Sequence, residues 1–236
     1  MELTSALYLI PCPVGDTPVE QVLPPHNADV VRALRHFAVE EVRTARRFLK
    51  RVDRTIDIDA LTFYPIGKHA DEAAFSAYLD PLRRGESVGV ISEAGCPAVA
   101  DPGAALVEIA QREGLRVVPL VGPSSLLMAV MASGLNGQSF AFNGYLPIDG
   151  GARAKRIRTL ESRARQERQT QLFIETPYRN ARLFKDLLAA CSPQTRLCVA
   201  AGLTTPQEYV RTRTVRQWRA HPLPDLAKVP AVFLIL

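Results

Sequence analysis

Small side chains and two prolines fill the segment Ser92-Glu-Ala-Gly-Cys-Pro-Ala-Val-Ala-Asp-Pro-Gly-Ala104. Small residues let main-chain amides and carbonyls come close to a ligand, while prolines hold a loop in shape without needing a donor. The segment leaves an apolar run at 88–92 that reads as a strand, and open α/β sheets bind ligands at the carboxyl ends of their strands. Asp101-Pro-Gly also reads as a plain turn that starts the next helix. Residues 11–16 and Gly122-Pro-Ser-Ser125 follow two further strand-like runs, so three loops are expected to converge on one rim. Ser124 and Ser125 can cap a helix, or face a ligand with hydroxyls and free helix-end amides; both can hold at once.

Other chemistries find little support. No GxGxxG opens a helix and no GxxxxGK[ST] occurs, which disfavours NAD and ATP. The four histidines, His26, His36, His69 and His221, show no HExxH or paired spacing, and there is no GxSxG elbow, so no metal site and no serine hydrolase are expected. Four cysteines, Cys12, Cys96, Cys191 and Cys198, lack CxxC spacing and read as reduced thiols. His69 follows a strand-like run and is either an ordinary loop histidine or a substrate-side group. Between 150 and 169 the chain carries Arg153, Lys155, Arg156, Arg158, Arg163, Arg165 and Arg168 against Glu161 and Glu167. Such a helix can contact phosphates or be a solvated face. No aromatic residue interleaves it, so stacking on bases would fall to Tyr145 or Tyr178.

The elements that must hold these residues alternate in the manner of βαβ units. Strands are expected over 6–10, 37–40, 62–66, 88–92 and 116–120, with helices from 42, over 71–84 and over 103–113. A helix from Ser124 ends at Ser133-Gly134. Strands over 140–143, 170–174, 196–200, 209–214 and 231–236 then suggest a mixed sheet with an antiparallel portion, and a helix is expected over 178–190. At 236 residues the chain fits two α/β lobes, 1–122 and 123–236, with a cleft between them. It is 47% hydrophobic and 22% charged, and no apolar run is long enough to span a membrane. The first ten residues lack a basic region and their apolar run breaks at Pro11, so no signal peptide is expected and the expected location is cytoplasmic. A net charge of +5 permits a polyanionic partner without choosing between nucleic acid and an acidic metabolite.

The block 88–104, Gly122-Pro-Ser-Ser125, Ala132-Ser-Gly-Leu135, Phe140-Ala-Phe-Asn-Gly-Tyr-Leu-Pro147 and Glu175-Thr-Pro-Tyr-Arg179 occur in this order. The chain thereby resembles the tetrapyrrole methylase superfamily, most closely its branch of small-subunit ribosomal RNA methyltransferases. The first block matches that branch's SDAGTPxxSDPGA, the last its ExPxR, and Glu40-Glu-Val-Arg43 looks like an altered EDTR. The resemblance covers nearly the whole chain. It implies a mainly parallel five-stranded first lobe, a mixed-sheet second lobe, S-adenosylmethionine in the cleft between them, and a homodimer. Carried over by position, the cofactor is expected at Pro13, Ser92, Ala94, Pro97, Ser124 and Ser125, then at Tyr178, Ala201, Pro230 and Ala231, largely through backbone.

The chain departs from the branch where an acceptor is expected. RELTK has become Ala201-Gly-Leu-Thr-Thr205, HNE is His69-Ala-Asp-Glu72, and the aspartate of SDAG is Glu93. The cofactor expectation is therefore firmer than the ribosomal RNA one. The leading expectation is methyl transfer to a ribose hydroxyl of small-subunit ribosomal RNA, free or in the subunit, with RNA on Arg153, Lys155, Arg156 and Arg158. Glu93, Glu175 and Glu40, with His69 behind them, are the groups expected to take the proton. C-methylation of a tetrapyrrole intermediate, and a non-catalytic protein that binds S-adenosylmethionine or RNA, stay open.

Overall fold

Leu7–Ile10, four consecutive apolar residues, form strand β1, buried on both faces as a central parallel strand must be. Around it lie β2 (His36–Val39), β3 (Thr62–Pro65), β4 (Val88–Ile91) and β5 (Val117–Pro119). All pair in parallel, in the order β3-β2-β4-β1-β5. The structure, a computed structural model, describes residues 3–222 and 224–236, and the chain divides into two units, Met1–Ser124 and Ser125–Leu236.

The helices of the first unit are α1 (Val19–Val22), α2 (Pro25–Ala33), α3 (Val42–Val52), α4 (Asp80–Arg83) and α5 (Ala104–Arg112). In α3 the spacing of Ala45, Phe48 and Leu49 puts one apolar stripe in the core, while Arg43, Arg46, Arg47 and Lys50 face solvent. The expected helix over 71–84 does not form as one piece. Two 3-10 turns, Glu72–Ala74 and Ala77–Leu79, lead into the short α4, because Pro81 has no amide to donate and its ring would clash with a preceding turn. Conversely, α2 has no strong pattern in sequence. It starts on Pro25, whose fixed φ suits a first helical position, and it is held by burying Val30 and Val31 against the sheet.

In the second unit α6 (Ser125–Ser133) precedes β6 (Phe140–Tyr145), α7 (Gly150–Glu167) and β7 (Thr170–Glu175). There follow α8 (Asn180–Ala190), β8 (Arg196–Ala201), β9 (Tyr209–Thr214), α9 (Val215–Arg219) and β10 (Ala231–Ile235). The sheet order is β6-β7-β10-β8-β9; β6 and β7 are parallel and every other pair is antiparallel, the mixed sheet expected. One face carries the core beneath α7, α8 and α9, where Phe173 stacks on Phe233 with centroids 6.3 Å apart and Trp218 donates Nε1–H to the Leu197 carbonyl at 2.8 Å. Helix α6 packs on β8, β9 and β10.

Candidate functional site

In the first unit the three loops do converge. Cys12, after β1, exchanges two main-chain hydrogen bonds with Gly95, after β4, at 2.8 and 3.0 Å. Cys96 donates its thiol to the Pro123 carbonyl, after β5, at 3.4 Å. Gly122 permits this approach, since a Cβ there would stand 2.3 Å from the Pro11 side chain. Asn27, buried in α2, steadies the same loop by donating to the Val121 carbonyl at 2.8 Å, a role its sequence context did not signal. The loop after β4 is itself strained: Ala98 and Ala100 sit at φ 67° and 62°. Left-handed backbone costs a residue with a Cβ about 1 to 2 kcal/mol, and such strain collects where a loop must present its backbone to something.

Pro13, Ser92 and Ala94 line one recess of about 340 Å³ with Glu93, Thr44, Arg47 and Arg51. Pro97 is buried and lies outside it; Ser124 ends this unit and Ser125 begins α6. Glu93 is exposed, accepts from the Thr44 hydroxyl, and donates its amide to Glu40 Oε2 at 3.1 Å. Gly67 lets the chain pass Glu40 closely, because a Cβ there would stand 2.5 Å from the Glu40 carbonyl oxygen. His69 is exposed, and among the described residues no hydrogen bond or ion pair draws it toward these carboxylates.

Asp101, in a tripeptide that in sequence read either as part of the ligand-facing loop or as a plain turn, joins this acidic group. Its carboxyl is half-buried and pushed up to about 6 by loss of water, then by the charge of Glu40; a hydrogen bond from Ser92 opposes the shift and Glu93 adds to it. A carboxyl in that range can accept a proton near neutral pH. Cys12 is different: burial pushes its thiol up to about 12, so it packs as a neutral group.

In the second unit β-sheet register sets three expected positions side by side. Ala231 is opposite Glu175 on β7 and opposite Ala201 on β8. Pro230, exposed beside them, accepts from the Gly202 amide at 3.0 Å, and Tyr178 is 83% exposed just beyond β7. Glu175 is not placed to be a general base. It is buried, and its Oε1 accepts from the Thr176 amide at 2.7 Å and from Arg179 Nε and Nη2 at 3.0 and 2.6 Å. It is a positioning residue that shapes the turn carrying Tyr178.

The basic helix also needs a correction. Arg153 is 2% exposed; it pairs with Asp186 at 2.6 Å and donates to the carbonyls of Pro147 and Ile148. It holds α7 to α8 and cannot meet RNA. Lys155, Arg156 and Arg158 do face solvent, Arg156 reaching Asn143 at 3.2 Å.

A family model described as Tetrapyrrole (Corrin/Porphyrin) Methylases matches residues 23–218. The chain is 33% identical over 222 residues to the ribosomal RNA small subunit methyltransferase I of Mesorhizobium japonicum, covering 93% of this chain and 70% of that one. It is 30% identical over 205 residues to the protein of the same name from Vibrio cholerae, covering 87% and 67%. Among solved structures, the cobalamin biosynthetic enzyme cobalt precorrin-4 methyltransferase CbiF aligns with TM-score 0.60 at 16% identity, over 98% of this chain and 94% of that one. Uroporphyrin-III-C-methyltransferase from Thermus thermophilus aligns with TM-score 0.54 at 19% identity, over 98% and 94%. These two likenesses speak for the fold alone.

Proposed function

Because the chain belongs to the tetrapyrrole methylase family and is a methyltransferase, we propose that it transfers the methyl group of S-adenosylmethionine to a ribose hydroxyl of small-subunit ribosomal RNA. The RNA part of this reading is supported by the name of the relatives that share 30 to 33% of its residues over most of its length. The oxygen acceptor rests on one observation, the half-buried Asp101 carboxyl with a pKa near 6, a group suited to taking a proton from a hydroxyl.

The residues fit the cofactor. Its amino-acid end is zwitterionic, and the recess at Pro13, Ser92 and Ala94 offers Arg47 and Arg51 to a carboxylate and Glu93 and Asp16 to positive charge. In the second unit, Ala201 and Ala231 lie buried beside Glu175, while Tyr178 and Pro230 at the same strand ends are exposed to a ligand. When bound, S-adenosylmethionine supplies an electrophilic methyl on a sulfonium leaving group. The chain's own part is to exclude water, hold the acceptor oxygen in line and receive its proton on Asp101. In-line positioning can lower such a barrier by roughly 7 to 11 kcal/mol, so one modest base suffices. Exposed apolar side chains on α6 (Leu127, Met131) and on the edge strand β6 (Phe140, Tyr145) support a homodimer.

The test is transfer of tritiated methyl from S-adenosylmethionine to small ribosomal subunits from cells lacking this gene, with naked RNA and a tetrapyrrole extract alongside. Label in ribosomal RNA that survives alkaline hydrolysis as a protected dinucleotide supports the proposal. Label only in the pigment fraction moves the acceptor to carbon, and label in neither, with cofactor bound, leaves a binding protein.

A further inference from the structure

The second unit holds a recess of about 1000 Å³ at the end of its sheet where β6, β7 and β8 begin, the opposite end from Glu175, Ala201 and Ala231. Six residues of β7 separate the two ends, about 20 Å. Three arginines line the recess: Arg165 in the last turn of α7, Arg168 at its C-cap and Arg196 at the start of β8. Arg165 and Arg168 also suit a helix C-terminus, where positive charge is favourable. That does not account for Arg196, which comes from another element.

Among the described residues, the one acidic side chain lining the recess is already committed. Glu161 is buried and accepts from the Ser192 amide at 2.7 Å and from the Thr195 hydroxyl, so it pins the loop before β8; Arg165 stands 4.0 Å from it. Among the described residues Arg168 and Arg196 pair with no carboxylate. Arg168 is fixed by its backbone, in a left-handed conformation at φ 51° with its carbonyl accepting from Asn136 at 2.6 Å. The positive charge also continues outward. Lys155, Arg158 and Arg165 are exposed at spacings of three and seven, close to whole helical turns, so they follow one side of α7 over about 15 Å. A track of cations that ends in a recess matches a chain of phosphates better than a single anion.

We propose that this recess and the ridge leading to it form a second RNA-binding surface, which seats backbone phosphates of the acceptor about 20 Å from the Glu175 end of the sheet. The inference rests on the RNA reading given above. The surface gives affinity and register and takes no part in chemistry.

The test compares wild type with the triple variant Arg165→Gln, Arg168→Gln, Arg196→Gln and with the same three positions changed to Lys, using the small-subunit RNA that the wild type methylates. For the Gln variant the expected results are a tenfold or larger rise in KM for RNA, kcat at saturating RNA within twofold, and unchanged S-adenosylmethionine affinity as a check on folding. The slope of log affinity against log salt should shrink by about 2, from three phosphate contacts at roughly 0.7 each, and the Lys variant should keep it. An unchanged slope and KM in the Gln variant, with wild-type RNA methylation intact, overturns this surface and spares the RNA reading. Wild-type protein that neither binds nor methylates RNA overturns both.

Discussion

Asp101 shows how far a residue's chemistry depends on what surrounds it. Its sequence context fits a ligand-facing loop or a plain turn equally, yet burial and Glu40 raise its carboxyl to about 6. Methyl transfer should therefore rise with pH through about 6, and Asp101→Asn should lose that acid limb and fall by about 10²- to 10⁴-fold with cofactor affinity retained. Glu40→Gln removes a neighbouring negative charge, so the ionised form becomes easier to reach and the midpoint of the wild-type limb should move to lower pH. Stability runs the opposite way to activity. With a folded pKa of about 6 above an ordinary 3.8, the folded chain binds more protons between those values, and this carboxyl weakens the fold as pH rises through 6. Denaturation at pH 8 should find Asp101→Asn more stable than wild type, by on the order of 1 kcal/mol after allowing for solvent screening at a half-exposed site, and at pH 3.5 the difference should vanish. Equal stabilities at both pH values would show that the carboxyl is ordinary.

At the scale of elements, α7 carries buried and exposed basic residues that its charge alone does not distinguish. Its buried face includes Ile157, Leu160 and Arg153, and the last of these ties it to Asp186 on α8. Truncating one partner of a buried pair leaves the other charge stranded. Arg153→Ala should cost about 2 to 4 kcal/mol in urea unfolding and leave RNA affinity per folded molecule unchanged. The exposed Lys155 should behave oppositely, Lys155→Gln weakening RNA binding in a salt-dependent way without loss of stability. If Arg153→Ala weakens RNA binding at full stability, the guanidinium is not structural. Helix α2 and the broken helix before β4 belong to the same scale. Local pattern favoured a helix through Pro81 and missed one at Pro25, since a proline's effect depends on whether a preceding turn needs its amide.

At the scale of the molecule, a ligand that binds only the native chain stabilises it by mass action. S-adenosylmethionine at a hundred times its dissociation constant should add about 2.7 kcal/mol, visible as a rise in Tm; no rise would remove it as the cofactor. The sequence by itself determined the two α/β units, the parallel first sheet, the mixed second sheet and the family, because strand and helix periodicity and loop motifs are local and survive in order along the chain. The convergence of three loops was legible too, since parallel strands that share a direction must release their loops at one end. Which charged residue does what was decided only by tertiary structure. Glu93 meets Glu40 across 53 positions, Arg153 meets Asp186 across 33, and Glu161 meets Thr195 across 34. Desolvation and pairing are set by such distant neighbours, so a buried arginine, a locked glutamate and a raised aspartate read alike until the chain is folded.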